Sequence, residues 1–145
     1  MTSNEQYVIF HVKKELYALT ISHIQEIIKM KDICITPTNH RPYLKGVINV
    51  RGNVIPVISL HKRFGYTEPS PSRSTRIIIV EINKITVGLI VDHVVKVETL
   101  EQFPLPESSD EQMKTHCTGI VYMDTRIVPT LHLPSILEIG AESHE

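Results

Sequence analysis

Short runs of aliphatic and β-branched residues alternate with polar turn residues along the chain, and the longest of these runs are about five residues. Residues 7–12 and 16–21 are two such runs, separated by Lys13-Lys14-Glu15, and they predict a pair of strands joined by a turn. Residues 22–29 begin with Ser and carry apolar side chains at i, i+3 and i+4 from Ile24, which fits either a short helical turn or a bent strand. The pattern as a whole predicts an all-β protein with short helical segments.

The strongest local signal lies in residues 45–60, where two β-branched runs flank Gly52-Asn53. Gly-Asn between such runs predicts a two-residue hairpin turn, because Gly accepts a positive φ at the first turn position. In this register Arg51 lies opposite Val54. Alternation along the two strands then places four aliphatic side chains on one core face: Ile48, Val50, Ile55 and Val57.

The opposite face of this hairpin mixes polar and apolar side chains, namely Val47, Asn49, Arg51, Val54, Pro56 and Ile58. An Arg framed by apolar residues is typical of a protein-binding surface. A second buried face with a solvated turn Arg has the same composition. The hairpin alone therefore leaves both interpretations open.

The chain contains an internal repeat. At an offset of 70 residues, 19–27 aligns with 89–97, and both segments match the pattern L-x-[IV]-x-H-[IV]-x-x-[IV]. At an offset of 73 residues, 46–48 aligns with 119–121, and the alignment continues through the second strand of the hairpin. A self-match over about 50 positions indicates two copies of one β unit.

The two copies define the expected domain organisation. We place repeat one at about 7–65 and repeat two at about 75–138, with a Pro- and Ser-rich linker at 65–74 that is expected to be exposed and mobile. Two small β-barrels that share a core, with a strand exchanged between them where required, would close the sheet edges that otherwise aggregate.

The two copies differ at the hairpin turn. At the offset of 73, Arg51 corresponds to Asp124 and Gly52 to Thr125, while the flanking apolar positions are retained. A task that belongs to the first turn alone would produce this difference. Drift in a solvent-exposed turn would produce it as well.

Composition narrows the classes of function. The chain has 145 residues, enough to build a core without disulfides or metals, and its net charge of −1 disfavours nucleic acid and anionic membranes as partners. No apolar run approaches the roughly 20 residues that span a bilayer, and residues 1–6 lack the basic and apolar regions of a signal peptide. The two cysteines, Cys34 and Cys117, are expected to be buried free thiols. We therefore expect a cytoplasmic protein.

The sequence carries none of the common catalytic motifs, which include G-x-S-x-G, H-E-x-x-H, the Walker loop and G-x-G-x-x-G. Its eight histidines are scattered, with no C-x-x-C and no His pair at ligand spacing. Asp92 and His93 are neighbours in a predicted strand, so their side chains point to opposite faces. We expect no catalytic residues, no metal and no cofactor, and binding is favoured by elimination.

Residues 46–60 strongly resemble the G-V-I-N-[LV]-R-G-x-[VI]-x-P-[VI]-[VI]-D-L signature of the CheW-type coupling proteins of bacterial chemotaxis. Residues 24–28 are similar to the V-Q-E-I segment of that family, 63–65 to its R-F-G stop, and 88–94 to its G-[LI]-[VI]-V-D-x-V strand. Ser59 stands where the family usually has Asp. The resemblance covers nearly all of 7–138, so we expect a single CheW-like domain over residues 1–145.

This resemblance implies two five-stranded SH3-like β-barrels packed together, and an adaptor without enzymatic activity. It implies two partners, the CheW-like domain of the histidine kinase CheA and the cytoplasmic hairpin tip of a chemoreceptor, with no insertion into the membrane. An adaptor of a non-flagellar receptor–kinase array, serving surface motility or development, is the alternative.

The resemblance also implies candidate residues for the receptor- and kinase-binding surface. Ile24, Glu26, Gly46 and Arg51 match positions of family partner contacts, and the hairpin geometry adds Asn49 and Gly52. A backbone bulge at Gly46 and a core position for Ile24 are the structural alternatives.

Overall fold

The computed structural model describes residues 4–35 and 43–138. The strands of the first half are β1 (Asn4–Val12), β2 (Glu15–Thr20), β3 (Ile24–Lys29), β4 (Cys34–Ile35), β5 (Leu44–Val50) and β6 (Asn53–Ser59). Those of the second half are β7 (Arg76–Ile82), β8 (Ile85–Val91), β9 (His93–Glu101), β10 (Phe103–Pro104), β11 (Cys117–Met123) and β12 (Arg126–Leu131). The helical segments are short: a 3-10 turn at Ile21–His23, α1 (Leu60–Arg63), α2 (Glu111–His116) and α3 (Leu133–Leu137). The predicted all-β class is confirmed.

The strands form two six-stranded sheets, which we call lobe 1 and lobe 2. Lobe 1 has the strand order β3-β7-β8-β6-β5-β4, and lobe 2 has the order β9-β1-β2-β12-β11-β10. Each lobe consists of five longer strands and a two-residue strand at one edge, β4 or β10. Most neighbouring strands are antiparallel, but β6 pairs with β8 in parallel, and so does β12 with β2.

The two lobes exchange a whole hairpin. Replacing each strand by its counterpart in the repeat converts one strand order into the other. The first hairpin of repeat one, β1–β2, lies in lobe 2, and the first hairpin of repeat two, β7–β8, lies in lobe 1. The other four strands of each lobe come from the other repeat. The sequence allowed for one exchanged strand, and the structure shows two from each side. The repeat bounds of about 7–65 and 75–138 remain a prediction, and they do not coincide with the lobes.

The exchanged hairpins are buried on both of their faces, which explains their nearly continuous apolar sequences. One set of their side chains enters a central core between the lobes, and it includes Val8, Phe10, Val12, Ile78 and Val80. The alternate set enters the core inside a lobe, with Tyr7 and Ile9 in lobe 2 and Ile77 and Ile79 in lobe 1. Each of these residues is at most 2% exposed.

The β5–β6 hairpin has the predicted core face but a different turn. Val50 pairs with Asn53, so the turn residues are Arg51 and Gly52, with φ of 50° and 87°, and not Gly52 and Asn53. Positive φ at both positions is the geometry that matches the twist of a hairpin. Moving a two-residue turn back by one position changes every cross-strand partner by two residues. The faces are therefore preserved, and Ile48, Val50, Ile55 and Val57 all lie in the lobe 1 core.

Two further local predictions meet different outcomes. Residues 22–29 combine both alternatives, since a single 3-10 turn at Ile21–His23 without a side-chain cap leads into the strand β3 from Ile24. Cys117 is buried as expected, but Cys34 is exposed because it belongs to the two-residue edge strand β4.

Ser59, in place of the usual Asp, still caps α1, since its hydroxyl accepts from the Lys62 N–H at 3.3 Å.

Arg63 ties the ends of the two lobes together. It lies in α1, which follows lobe 1, and it donates to carbonyl groups of α3, which follows lobe 2. Its Nε lies 2.9 Å from the Ile136 oxygen, and its Nη2 lies 2.8 Å from the Ser135 oxygen. The guanidinium also stacks 4.6 Å from the ring centroid of Tyr43.

Asp92 makes a second tie where the chain passes from β8 in lobe 1 to β9 in lobe 2. Its carboxylate accepts from the Lys13 N–H at 2.8 Å and lies 2.8 Å from Nε2 of buried His61. Its carbonyl oxygen accepts from the Ser74 hydroxyl at 2.9 Å, so the mostly exposed linker is anchored at its end. His61, and not the adjacent His93, is thus the partner of the Asp92 carboxylate.

The hairpin exchange predicts that neither repeat folds alone. A fragment of residues 1–72 lacks β7 and β8, which separate β3 from β6 in lobe 1. We expect this fragment to show no cooperative thermal transition by circular dichroism, and we expect an equimolar mixture with residues 73–145 to restore one. A monomeric 1–72 fragment with a sharp melting transition would contradict the exchange.

Candidate functional site

Four of the predicted residues come together at one end of lobe 1, and we call them the tip site: Glu26, Asn49, Arg51 and Gly52. Nη2 of Arg51 forms an ion pair with a carboxylate oxygen of Glu26. The Arg51 side chain is 72% exposed and the Glu26 side chain 29% exposed. The guanidinium therefore keeps free donors toward solvent, as an interface Arg requires.

The ion pair spans the curled sheet of lobe 1. Glu26 lies on the edge strand β3, and β7 and β8 separate that strand from the β5–β6 hairpin that carries Arg51. Lys31 follows β3, and its Nζ donates to the carbonyl oxygen of Asn49, two residues before Arg51. These two contacts join the edge strand to the hairpin tip and close this end of the lobe.

Asn49 and Gly52 shape the turn that presents Arg51. The Asn49 Oδ1 accepts from the Gly52 N–H at 3.0 Å, across the two-residue turn. Gly52 has a φ of 87°, a conformation that L side chains rarely adopt. Both residues therefore act on the position of the Arg51 guanidinium.

Gly46 lies outside the tip site and has a structural role. It is buried, and a Cβ atom added there would lie 2.2 Å from the Cys34 carbonyl oxygen of β4. Its repeat counterpart Gly119 faces the same restriction, since an added Cβ would lie 2.4 Å from the Phe103 oxygen of β10. The ladder shifts register next to both glycines. The same packing in both lobes supports the bulge interpretation of Gly46.

Ile24 also lies apart from the tip site. It is half-buried against the central core and pairs with Val80. The register of β3 shifts between Ile24 and Glu26, so the strand connects the central core with the tip site. Its repeat counterpart Val94 packs against the same core.

The sequence interpretation missed a second candidate surface, which we call the edge band: Ile21, Ile27, Val95 and Val97. These side chains are 37%, 36%, 37% and 48% exposed, and they lie on or just before the edge strands β3 and β9. Ile27 and Val97 are counterparts at the offset of 70. The signal was therefore present in the repeat pattern, but alternation alone does not reveal which apolar position is uncovered.

The outer hairpin faces of the two lobes are also apolar. Val54 is 66% exposed, and its counterpart Ile127 is 51% exposed. In lobe 2, Ile127 lies beside an edge-to-face pair of Phe103 and Tyr122, whose ring centroids are 5.4 Å apart. Asp124 occupies the turn position of Arg51, so these two turn residues carry opposite charges.

The described residues support binding better than acid–base chemistry. Among residues 4–35 and 43–138, no group of three or more His, Cys, Asp or Glu side chains is placed to hold a metal ion. The His61–Asp92 pair resembles a catalytic pair, but His61 is 3% exposed and a substrate would have little access to it. No helix in this part of the chain has the length and apolarity to cross a bilayer.

The fold and the tip site define a two-lobed β protein with two candidate binding surfaces. The family model of the CheW-like domain matches residues 6–140, and the chain belongs to this family. It is 31% identical over 139 residues to the chemotaxis protein CheW of Bacillus subtilis, a match that covers 94% of this chain and 88% of that protein. It is 33% identical over 137 residues to the chemotaxis protein CheW of Helicobacter pylori, covering 92% of this chain and 81% of that one.

A solved structure has a similar architecture. The scaffolding protein TtCheW from Thermoanaerobacter tengcongensis superposes with a TM-score of 0.80 at 34% sequence identity, covering 97% of each chain. The predicted family and the SH3-like fold class are thereby confirmed.

The two glycines predict a matched pair of stability changes. Gly46→Ala forces a methyl group against the Cys34 carbonyl, so we expect a loss of about 2–3 kcal/mol in the free energy of unfolding, typical of overpacking. Gly119→Ala should cost a similar amount in lobe 2. Urea denaturation of both variants measures this. Normal stability of Gly46→Ala would mean that this glycine is not required for packing.

Proposed function

We propose that the chain is a non-enzymatic adaptor that links chemoreceptors to the histidine kinase CheA in bacterial chemotaxis. The observation that carries the proposal is the presence of two exposed surfaces, the tip site and the edge band, on one body whose lobes share a core. The similarity to CheW proteins over nearly the whole chain supports it. An adaptor needs no chemistry of its own, because holding two partners together raises their effective concentration.

We assign the tip site to the kinase contact. Arg51 offers a planar fork of donors, is mostly exposed and is framed by the apolar Val54. Such an Arg suits a carboxylate on a protein surface. A CheW-like domain in the kinase that keeps an acidic tip, as Asp124 does here, would present the complementary charge.

We assign the edge band to the receptor contact. A receptor tip is a helical hairpin, and helices dock by laying an apolar stripe on an apolar groove. Ile27 and Val97 offer such a surface on strands that both border the central core. Exposed apolar edge strands invite aggregation unless a partner covers them.

The substitution Arg51→Glu should weaken kinase binding without unfolding the protein. A desolvated interface Arg contributes about 2 kcal/mol, which corresponds to roughly thirtyfold in Kd, and charge reversal adds repulsion. The lost ion pair with Glu26 is exposed and should cost the fold no more than about 1 kcal/mol. Titration calorimetry with the CheW-like domain of CheA and thermal melting measure the two effects.

Arg126→Glu is the matched control, because Arg126 is an exposed Arg at the tip of the other lobe. It should bind the kinase domain like the wild type. If Arg51→Glu melts early, the residue is structural. If Arg51→Glu melts normally and binds both partners like the wild type, the tip site is not a coupling surface.

Val97→Glu should give the reverse pattern. A charge in the edge band opposes burial of an apolar helix face, so we expect receptor-tip binding to weaken by at least about tenfold. Kinase binding should stay within about twofold of the wild type, because the tip site is untouched. Ile27→Glu, at the counterpart position, should behave like Val97→Glu. A loss of kinase binding in folded Val97→Glu would contradict the assignment of separate surfaces.

A further inference from the structure

A cavity of about 230 Å³ lies between the start of β2, the segment after α1, and α2. It belongs neither to the tip site nor to the edge band. Three aromatic residues line it, Tyr17, Phe64 and Tyr66, and the ring centroids of Tyr17 and Phe64 are 5.0 Å apart. A dry cavity of about 150 Å³ accepts benzene, so this one has room for a substituted aromatic ring.

Two carboxylates of the cavity lining can accept hydrogen bonds. Glu15 and Asp110 line it, and Asp110 uses one carboxylate oxygen to cap α2 by accepting from the Met113 N–H at 2.9 Å. The other oxygen and the Glu15 carboxylate are available acceptors. Among the residues described around the cavity, no Lys or Arg belongs to its lining.

His116 contributes an aromatic ring to the cavity lining. It lines the cavity, is 8% exposed, and its buried Nδ1 has no hydrogen-bond partner among the described residues. Burial and the nearby Arg63 guanidinium lower the His116 pKa, which favours the neutral imidazole with a lone pair on one nitrogen.

The same surroundings disfavour an anion. The pKa of the Cys117 thiol, which also lines the cavity, is raised to about 12 because burial and the Asp110 carboxylate both oppose the thiolate. Aromatic faces attract cations instead. Tyr66 shows this within the protein, since the Lys13 Nζ lies 4.3 Å from its ring centroid.

We propose that this cavity binds a small organic cation, a guanidinium, amidinium or primary ammonium group carried on an apolar body. Its aromatic walls contact the body, and the Glu15 and Asp110 carboxylates accept hydrogen bonds from the cationic donors. A free amine and the side chain of a partner's Arg offer the same chemistry.

Three matched probes test this site on the intact chain: benzamidine, its neutral analogue benzamide and the anion benzoate. Isothermal titration should show saturable binding of benzamidine, at least about tenfold tighter than either analogue. Glu15→Gln and Asp110→Asn should each weaken benzamidine about tenfold, the effect of one charge-assisted hydrogen bond. Asn keeps the cap of α2, so Asp110→Asn should fold normally.

Asp124→Asn is the control, since it removes a carboxylate outside the cavity and should leave benzamidine binding unchanged. The proposal would be overturned if benzamidine showed no saturable binding, or if all three probes bound equally well. It would also be overturned if Glu15→Gln and Asp110→Asn both bound benzamidine as tightly as the wild type. A second titration, which relies on the proposed partners, identifies the source of the cation. Competition between benzamidine and the kinase or receptor fragment assigns it to a partner side chain, and unchanged partner binding assigns it to a free ligand.

Discussion

The hydrophobic burial of two hairpins on both of their faces is the constraint on which the rest of this structure depends. β1–β2 and β7–β8 each contribute one set of side chains to a lobe and the alternate set to the central core. Because each hairpin lies in the lobe of the other repeat, separating the lobes would expose both surfaces at once. The lobes are therefore two parts of one cooperative body. Arg63 and Asp92 fix the same arrangement with directional contacts at the lobe ends and at the chain crossover.

This shared core sets the geometry of the two candidate binding surfaces. The tip site lies at the end of lobe 1, where the Arg51–Glu26 pair joins the hairpin to β3, and the edge band lies on the strands that flank the exchanged hairpins. β3 takes part in both, since Glu26 and Ile27 are adjacent on it. A rigid arrangement of two surfaces is what an adaptor contributes, because its effect is to hold partners at a fixed separation. The stability of the core and the proposed coupling activity thus rest on the same packing.

Much of the fold could be predicted from the sequence, because period-2 alternation and the self-match at offsets of 70 and 73 report directly on strands and duplication. The core face of β5–β6 was correct even though its turn was misplaced, since moving that turn preserves the side of each residue. Of the six residues predicted to bind partners, four lie together at the tip of lobe 1, namely Glu26, Asn49, Arg51 and Gly52, and their binding role remains a prediction. Ile24 packs against the central core, and Gly46 packs closely against β4. The exchange of a whole hairpin, where the sequence allowed for one strand, and the edge band could not be predicted, because both depend on which strands become neighbours in space.

The central claim is that one body holds two partners on separate surfaces at the same time. The most direct measurement is a titration of the chain with the CheW-like domain of CheA, repeated with the chain saturated by a receptor-tip fragment. We expect the dissociation constant for the kinase domain to stay unchanged or fall when the receptor fragment is bound, and a three-component complex to appear by analytical ultracentrifugation. Strict competition between the two partners would contradict it.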